Sequence, residues 1–191
     1  MTPKKRLVVG VTGASGVILA IRLLQAVQSS PIETHLVVSS MAKATITQET
    51  DWKVSDVLAL ADYSYAPEDV GAAIASGSFA TLGMVVIPCS VKTLSAIANS
   101  YTSDLIARAA DVTLKEGRKL VLVFREAPLH LGHIRLMAQA AENGAILFPP
   151  VPAFYTHPER VEDIVDHIVG RVLVRLGIEN DLYKEWEGSD A

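Results

Sequence analysis

The chain has one cysteine, Cys89, among 191 residues. That excludes an internal disulfide framework, and no Cys/His cluster has metal-ligand spacing, so no metal site is expected. It has no surplus of basic charge. The formal net charge is −4, which excludes a general nucleic-acid binder, because affinity for a phosphate backbone is built on excess Lys and Arg. It also has no long hydrophobic run: Gly, Pro or charge interrupts every candidate well short of the roughly 20 apolar residues a membrane span needs. The opening MTPKKRLVVGVTG places basic residues before an apolar stretch, as a secretory signal does, but the stretch ends after five residues at a glycine turn. No membrane insertion and a reducing, cytoplasmic setting are the expectations. Internal repeats and low-complexity segments are missing too.

What is present is material for a core. Half the residues are apolar, enough for one globular domain spanning 1–191. Short apolar runs recur at Leu7–Val11, Thr34–Ser39, Met84–Ile87, Leu120–Phe124 and Ala145–Phe148, separated by helically spaced segments. Strands that are apolar throughout must be covered on both faces. The pattern therefore predicts a single-domain α/β protein: a Rossmann-like (flavodoxin-like), doubly wound, mainly parallel sheet with helices on both faces. A last helix is expected over Val161–Leu176, with Pro158 and Glu159 in its first turn. The tail after Gly177, about 178–191, is expected to fray or to dock on a neighbouring subunit.

In such sheets ligands bind beyond the carboxyl ends of the strands, and those positions carry the chemistry here. The first strand runs into Gly10, Thr12, Gly13, Ala14, Ser15 and Gly16, small residues that let backbone approach a ligand ahead of a helix N-terminus suited to an anion. This is neither GxGxxG nor a P-loop, and a plain strand-to-helix turn explains it equally well. A second junction, Pro88-Cys89-Ser90-Val91-Lys92-Thr93, is rich in hydroxyls, with Ser90 and Thr93 as donors toward a phosphate or a flavin edge. Cys89 reads as a small buried residue, because no partnered base stands out. The segment Leu105–Lys119 reads as helical with Arg108 and Lys115 on one face, seven residues being close to two turns; Arg118 and Lys119 read as a solvated stripe. Arg125 and Glu126 stand at a strand end, where a site role outweighs a local ion pair. His130 and His133 follow on a helical segment as packing or surface residues. The stretch Phe148–Tyr155 is a stiff proline loop, open to a cis X-Pro bond, and its Tyr155 can donate to a phosphate.

Taken together, VTGASG, SVKTLSAI, RAADVTLKE, LVLVFREAPLHL and PPVPAFY resemble, in order and spacing, the flavin prenyltransferases of the UbiX family over nearly the whole chain. The resemblance implies a metal-independent transferase that moves a dimethylallyl group from dimethylallyl phosphate to reduced FMN, building a fourth ring. Prenylated FMN, the product, would serve decarboxylases of the UbiD family. It implies flavin contacts from Gly13, Ala14, Ser15, Ser39, Ser90, Val91, Lys92, Thr93 and Arg125. It implies a prenyl-phosphate pocket from Lys115, Arg125, Tyr155 and Arg171, with Glu49 and Arg108 supplied by a neighbouring subunit. Ser15, Glu49, Lys115 and Glu126 become the catalytic group, Glu126 and Ser15 handling protons, in a homododecamer with sites at subunit interfaces. The chemistry agrees: charge developing on a phosphate leaving group is stabilised by preplaced Lys, Arg and Tyr donors without a metal, and ring closure needs a base such as Glu126.

The chain departs from the family pattern in places. It reads LKEGR where LKERR is frequent, has Val70 in a region where some members carry a tryptophan, and has Val91 where methionine is common. Trp52 is expected at a subunit interface. Two other functions fit the same fold class. A flavin-dependent cysteine decarboxylase would need a histidine base after an early strand, which is not seen; a non-catalytic FMN carrier or accessory decarboxylase subunit would have no use for a prenyl-phosphate pocket.

Overall fold

A computed structural model describes residues 5–186 and 188. Six strands form one all-parallel sheet: β1 (Lys5–Val11), β2 (Ile32–Val38), β3 (Tyr63–Tyr65), β4 (Gly83–Cys89), β5 (Lys119–Phe124) and β6 (Ile146–Leu147). Their spatial order is β3-β2-β1-β4-β5-β6, the doubly wound arrangement in which the chain reverses direction across the sheet between β1 and β4. The helices are α1 (Val17–Val27), α2 (Ser40–Glu49), α3 (Val54–Leu58), α4 (Val91–Ala98), α5 (Leu105–Lys115), α6 (Leu131–Glu142) and α7 (Val161–Leu176).

Alternation along the strands builds two cores. In β1, Leu7, Val9 and Val11 face the layer that holds α1 and α7, while Val8 faces the layer with α4 and α5. Gly10 lies on that second side, where a Cβ would come within 3.1 Å of the Ile106 side chain. Leu23, Leu24 and Val172 are fully buried between α1, α7 and the sheet, each removal from water worth about 1.5–3 kcal/mol. Arg22 of α1 and Asp166 of α7 pair at the edge of that contact, 2.5 Å apart.

Several expectations need correction. The strand Tyr63–Tyr65 was not foreseen. Helix α5 stops at Lys115, because Gly117 takes a left-handed conformation (φ 65°). The amides of Gly117 and Arg118 return to Leu114 and Thr113, and Lys119 then opens β5. Arg118 is not a solvated residue: its guanidinium donates to the carbonyls of Gly77 (2.6 Å) and Phe79 (2.8 Å). Helix α7 begins after Pro158 and Glu159, since Asp163 accepts the amides of both Glu159 and Arg160 (3.0 Å each) and closes the turn ahead of Val161. The cis bonds are Ile87-Pro88 and Ala127-Pro128, not one in the 149–152 loop. The described part of the tail packs on its own chain. Ile178 is buried, Asn180 donates to the Gly170 carbonyl of α7 (3.1 Å), and Leu182 packs on the core; residues 187 and 189–191 lie outside the described part. Among the described residues no helix is long and apolar enough to cross a membrane.

Candidate functional site

The carboxyl ends of the strands are tied to one another by hydrogen bonds, and this makes one continuous rim. Ser39, after β2, donates its amide to Val11 at the end of β1 (3.0 Å). Thr12 then bridges to β4: its hydroxyl donates to the Pro88 carbonyl (2.7 Å) and accepts the Ser90 amide (2.8 Å). Arg125, after β5, donates its amide to the Cys89 carbonyl (3.2 Å). The topological switch between β1 and β4 lies in the middle of this rim, where α/β sheets bind ligands.

Gly13, Ala14 and Ser15 form the β1–α1 turn, with Ser15 exposed. Gly13 is required by packing: a Cβ there would overlap Met41 in the first turn of α2. At the N-terminus of α1 the amide of the capping residue, Gly16, is already engaged, donating to Glu49 Oε2 (2.8 Å). Glu49, expected from a neighbouring subunit, thus reaches the Ser15–Gly16 turn of its own chain from the end of α2. Ser39 caps α2 by accepting the Ala42 amide (3.2 Å).

The N-terminus of α4 presents a different picture. Ser90 caps it, accepting the Thr93 amide (3.4 Å) and standing 3.3 Å from the Thr93 hydroxyl. The cap leaves the first amides of the helix, those of Val91 and Lys92, without partners inside the helix. These donors, with the macrodipole behind them, suit a phosphate. Lys92 extends into solvent 3.8 Å from Asp104. The donor set therefore fits FMN: hydroxyls and helix amides for a phosphate at α4, and a small-residue turn at Gly13–Ser15 for close backbone approach. Cys89 is fully buried, and burial pushes its thiol far above the ordinary range, which removes it as a nucleophile.

Arg125 and Glu126 follow β5 directly, Arg125 exposed and Glu126 half-buried. Glu126 Oε1 accepts the Ala127 amide (3.0 Å), which folds the carboxylate back over its own loop. His130 caps α6 through Nδ1, accepting the Gly132 amide (3.0 Å), and stacks on His133 at 3.6 Å.

A second cluster forms where the proline loop meets α7 and the tail. The Tyr155 ring stands edge-on to His167 (5.8 Å) and to Trp186 (5.4 Å). His167 stands edge-on to Tyr183 (5.9 Å), and the Arg171 guanidinium lies 5.7 Å from the Tyr183 ring. Tyr155 and Arg171 are thus joined through His167 and Tyr183, and sequence patterns did not single out His167. Burial first, and the Arg171 charge second, hold the His167 imidazole below its usual pKa. Nothing in the sequence marked Tyr183 or Trp186 as neighbours of Tyr155.

Two expected members stand apart. Lys115, at the end of α5, precedes β5 and so lies at the amino edge of the sheet, whereas Glu126 lies beyond its carboxyl edge. Lys115 pairs with Glu116 (2.5 Å), which keeps the Glu116 carboxyl below its ordinary pKa, and both lie over Gly77. On its own chain Lys115 thus stands at the opposite edge of the sheet from Glu126. Arg108, two turns earlier on the same face, pairs with Asp111 (3.1 Å). Among the described residues no three His, Cys, Asp or Glu side chains come together to hold a metal ion.

Comparison with known proteins agrees with this geometry. The family model described as Flavoprotein matches residues 1–173. The flavin prenyltransferase UbiX of Thauera aromatica is 55% identical over 185 residues, covering 97% of this chain and 95% of that protein. The crystal structure of AnUbiX in complex with FMN and dimethylallyl pyrophosphate superposes with a TM-score of 0.96 at 48% identity, covering 97% of this chain and 99% of that one. A dodecameric FMN-dependent UbiX-like decarboxylase from Escherichia coli O157:H7 gives a TM-score of 0.94 at 53% identity, covering 96% and 100%. The chain belongs to the flavoprotein family and, within it, to the flavin prenyltransferases of the UbiX type.

Proposed function

We propose that this protein transfers a dimethylallyl group from dimethylallyl phosphate to reduced FMN, and that the prenylated FMN passes to a UbiD-type decarboxylase. The observation that carries the reading is the hydrogen-bonded rim at the β1/β4 switch, which gathers helix amides, hydroxyls, a guanidinium and two carboxylates at one edge of the sheet. The FMN phosphate is assigned to the α4 N-terminus, with Ser90, Val91, Lys92 and Thr93, because Glu49 already takes the Gly16 amide at α1. Gly13, Ala14, Ser15, Ser39 and Arg125 complete the flavin contacts. Reduced flavin supplies the electron-rich nitrogen and ring carbon that are alkylated.

The chain's own residues do the rest. Arg125, Tyr155 and Arg171 hold the donor phosphate and stabilise the charge it gains as the carbon–oxygen bond breaks. Glu126 is the base for the ring proton, with Ser15 and Glu49 as the alternative route at the neighbouring turn. Lys115 and Arg108 are assigned to the site of another copy of the chain, at the subunit interfaces of a dodecamer, where water is excluded from a cation-like allyl group.

Anaerobic incubation of the protein with reduced FMN and dimethylallyl phosphate, followed by mass spectrometry of the released flavin, tests the reading. A mass gain of one dimethylallyl unit is expected. Tightly bound but unmodified FMN would instead identify a flavin carrier.

A further inference from the structure

His167 lies in the cluster assigned to the donor phosphate, yet the roles above leave it without one. It sits four residues before Arg171, so both side chains emerge from the same face of α7. Its ring is 8% exposed and is held edge-on between Tyr155 at 5.8 Å and Tyr183 at 5.9 Å. The groups facing it come from three elements. Arg171 comes from its own helix, Tyr155 from the proline loop, and Tyr183 from the tail, with its hydroxyl donating to Glu185 (3.3 Å). The adjacent Asp166 is engaged by Arg22 of α1. The field around the imidazole is therefore set by burial first and by the Arg171 cation second, both of which favour the uncharged ring.

Occupation of this cluster by a phosphate dianion reverses that field. An opposite charge within a few ångströms favours the protonated imidazole, and in a buried setting the attraction is weakly screened. We propose that His167 is a further phosphate-binding residue of the donor pocket, neutral in the free protein and protonated when an allylic phosphate ester sits between Tyr155 and Arg171, so that donor binding takes up a proton. The inference rests on the assignment of Tyr155 and Arg171 to the donor. It adds a cation that is present only with its ligand, so the free protein is spared a close pair of like charges. The balance is simple: one proton moves from solvent to the imidazole, and no bond of the donor is made or broken.

Calorimetric titration of dimethylallyl phosphate into protein loaded with oxidised FMN, which cannot proceed to transfer, tests this in buffers of differing ionisation enthalpy. Between pH 7 and 8 the phosphate monoester is already mostly dianionic, its second pKa being about 6, so proton uptake reports on the protein. The wild type is expected to take up a fraction of a proton and to lose affinity by up to about tenfold over that unit of pH. His167→Phe, which keeps a ring between the tyrosines, is expected to lose both the uptake and the pH dependence, and His167→Gln provides the same comparison if the first variant folds poorly. Donor binding with equal proton counts and equal pH dependence in wild type and variants would overturn the role of His167 alone. Failure of the FMN-loaded wild type to bind the donor at all would overturn the donor pocket itself and this inference with it.

Discussion

At the scale of single residues, the hydroxyl of Thr12 holds the two halves of the sheet in register where the ligand must sit. It satisfies the Ser90 amide and the Pro88 carbonyl together while being 2% exposed. Thr12→Val keeps the shape and removes both bonds, so it is expected to cost about 1–3 kcal/mol of stability and to weaken FMN binding through the displaced α4 N-terminus. Urea denaturation and flavin fluorescence titration on the same variant measure the two effects. Glu126 has a different kind of importance, since among the described residues its carboxylate is bonded only to the adjacent amide of its own loop and contributes little to the fold. Glu126→Gln is expected to leave FMN affinity and assembly intact while slowing prenyl transfer at least about tenfold, equivalent to roughly 1.4 kcal/mol in the barrier, read by single-turnover flavin absorbance. Most of these residues were legible in the sequence because they follow apolar strands. His167 was not, because a histidine inside an amphipathic helix gives no signal until the tail and the proline loop are folded against it.

At the scale of elements, β2 carries a buried polar chain that ties it to both neighbours on its side of the sheet. Glu33 accepts from Arg6 of β1 (2.9 Å) and lies 3.1 Å from His35 Nε2, while His35 Nδ1 stands 2.8 Å from the Tyr65 hydroxyl of β3. Burial, which outweighs the pull of Glu33, holds the His35 imidazole below its ordinary pKa. The unfolded chain takes the proton near pH 6.5 and the folded chain resists it. The stabilisation is therefore complete above that pH and is lost progressively as pH falls toward the folded value. Urea midpoints measured from pH 8 down to pH 5 should decline in the wild type and decline less steeply in His35→Gln. The same strand pairing explains why β3 escaped sequence reading: three exposed or half-buried residues, Tyr63-Ser64-Tyr65, make no apolar run, and only their ladder with His35, Leu36 and Val37 of β2 defines the strand. The end of α5 was misjudged for the opposite reason, because its charged residues continue a helical pattern that Gly117 terminates. No atom lies within 4 Å of where a Cβ on Gly117 would stand, so Gly117→Arg meets only the backbone cost of a left-handed residue, about 1 kcal/mol. A fall in Tm of about 2–4 °C is expected, with prenyl transfer unchanged.

At the scale of the whole molecule, the layer order was readable from the alternation of apolar strands and helices, but the end of the sheet at which each charged residue lands was not. Helical spacing put Arg108 and Lys115 on one face and said nothing of the direction in which α5 runs. The folded chain carries Lys115 to the amino edge of the sheet, so the length of β5, on the order of 20 Å for six residues, separates it from Glu126. If Lys115 acts in catalysis, it acts in the site of another copy, and that has a consequence no single variant reveals. Lys115→Ala and Glu126→Gln are each expected to be at least about tenfold slower than wild type as homo-oligomers. Co-expressed in equal amounts and assembled at random, about one site in four would combine an intact Lys115 from one protomer with an intact Glu126 from another. The mixed oligomer should therefore recover about a quarter of wild-type activity, exceeding both parents, when the rate is measured per bound FMN. A mixture no faster than its parents would mean that every site draws both residues from one chain or that Lys115 has no part in the chemistry. Wild-type activity in the Lys115→Ala homo-oligomer would single out the second explanation.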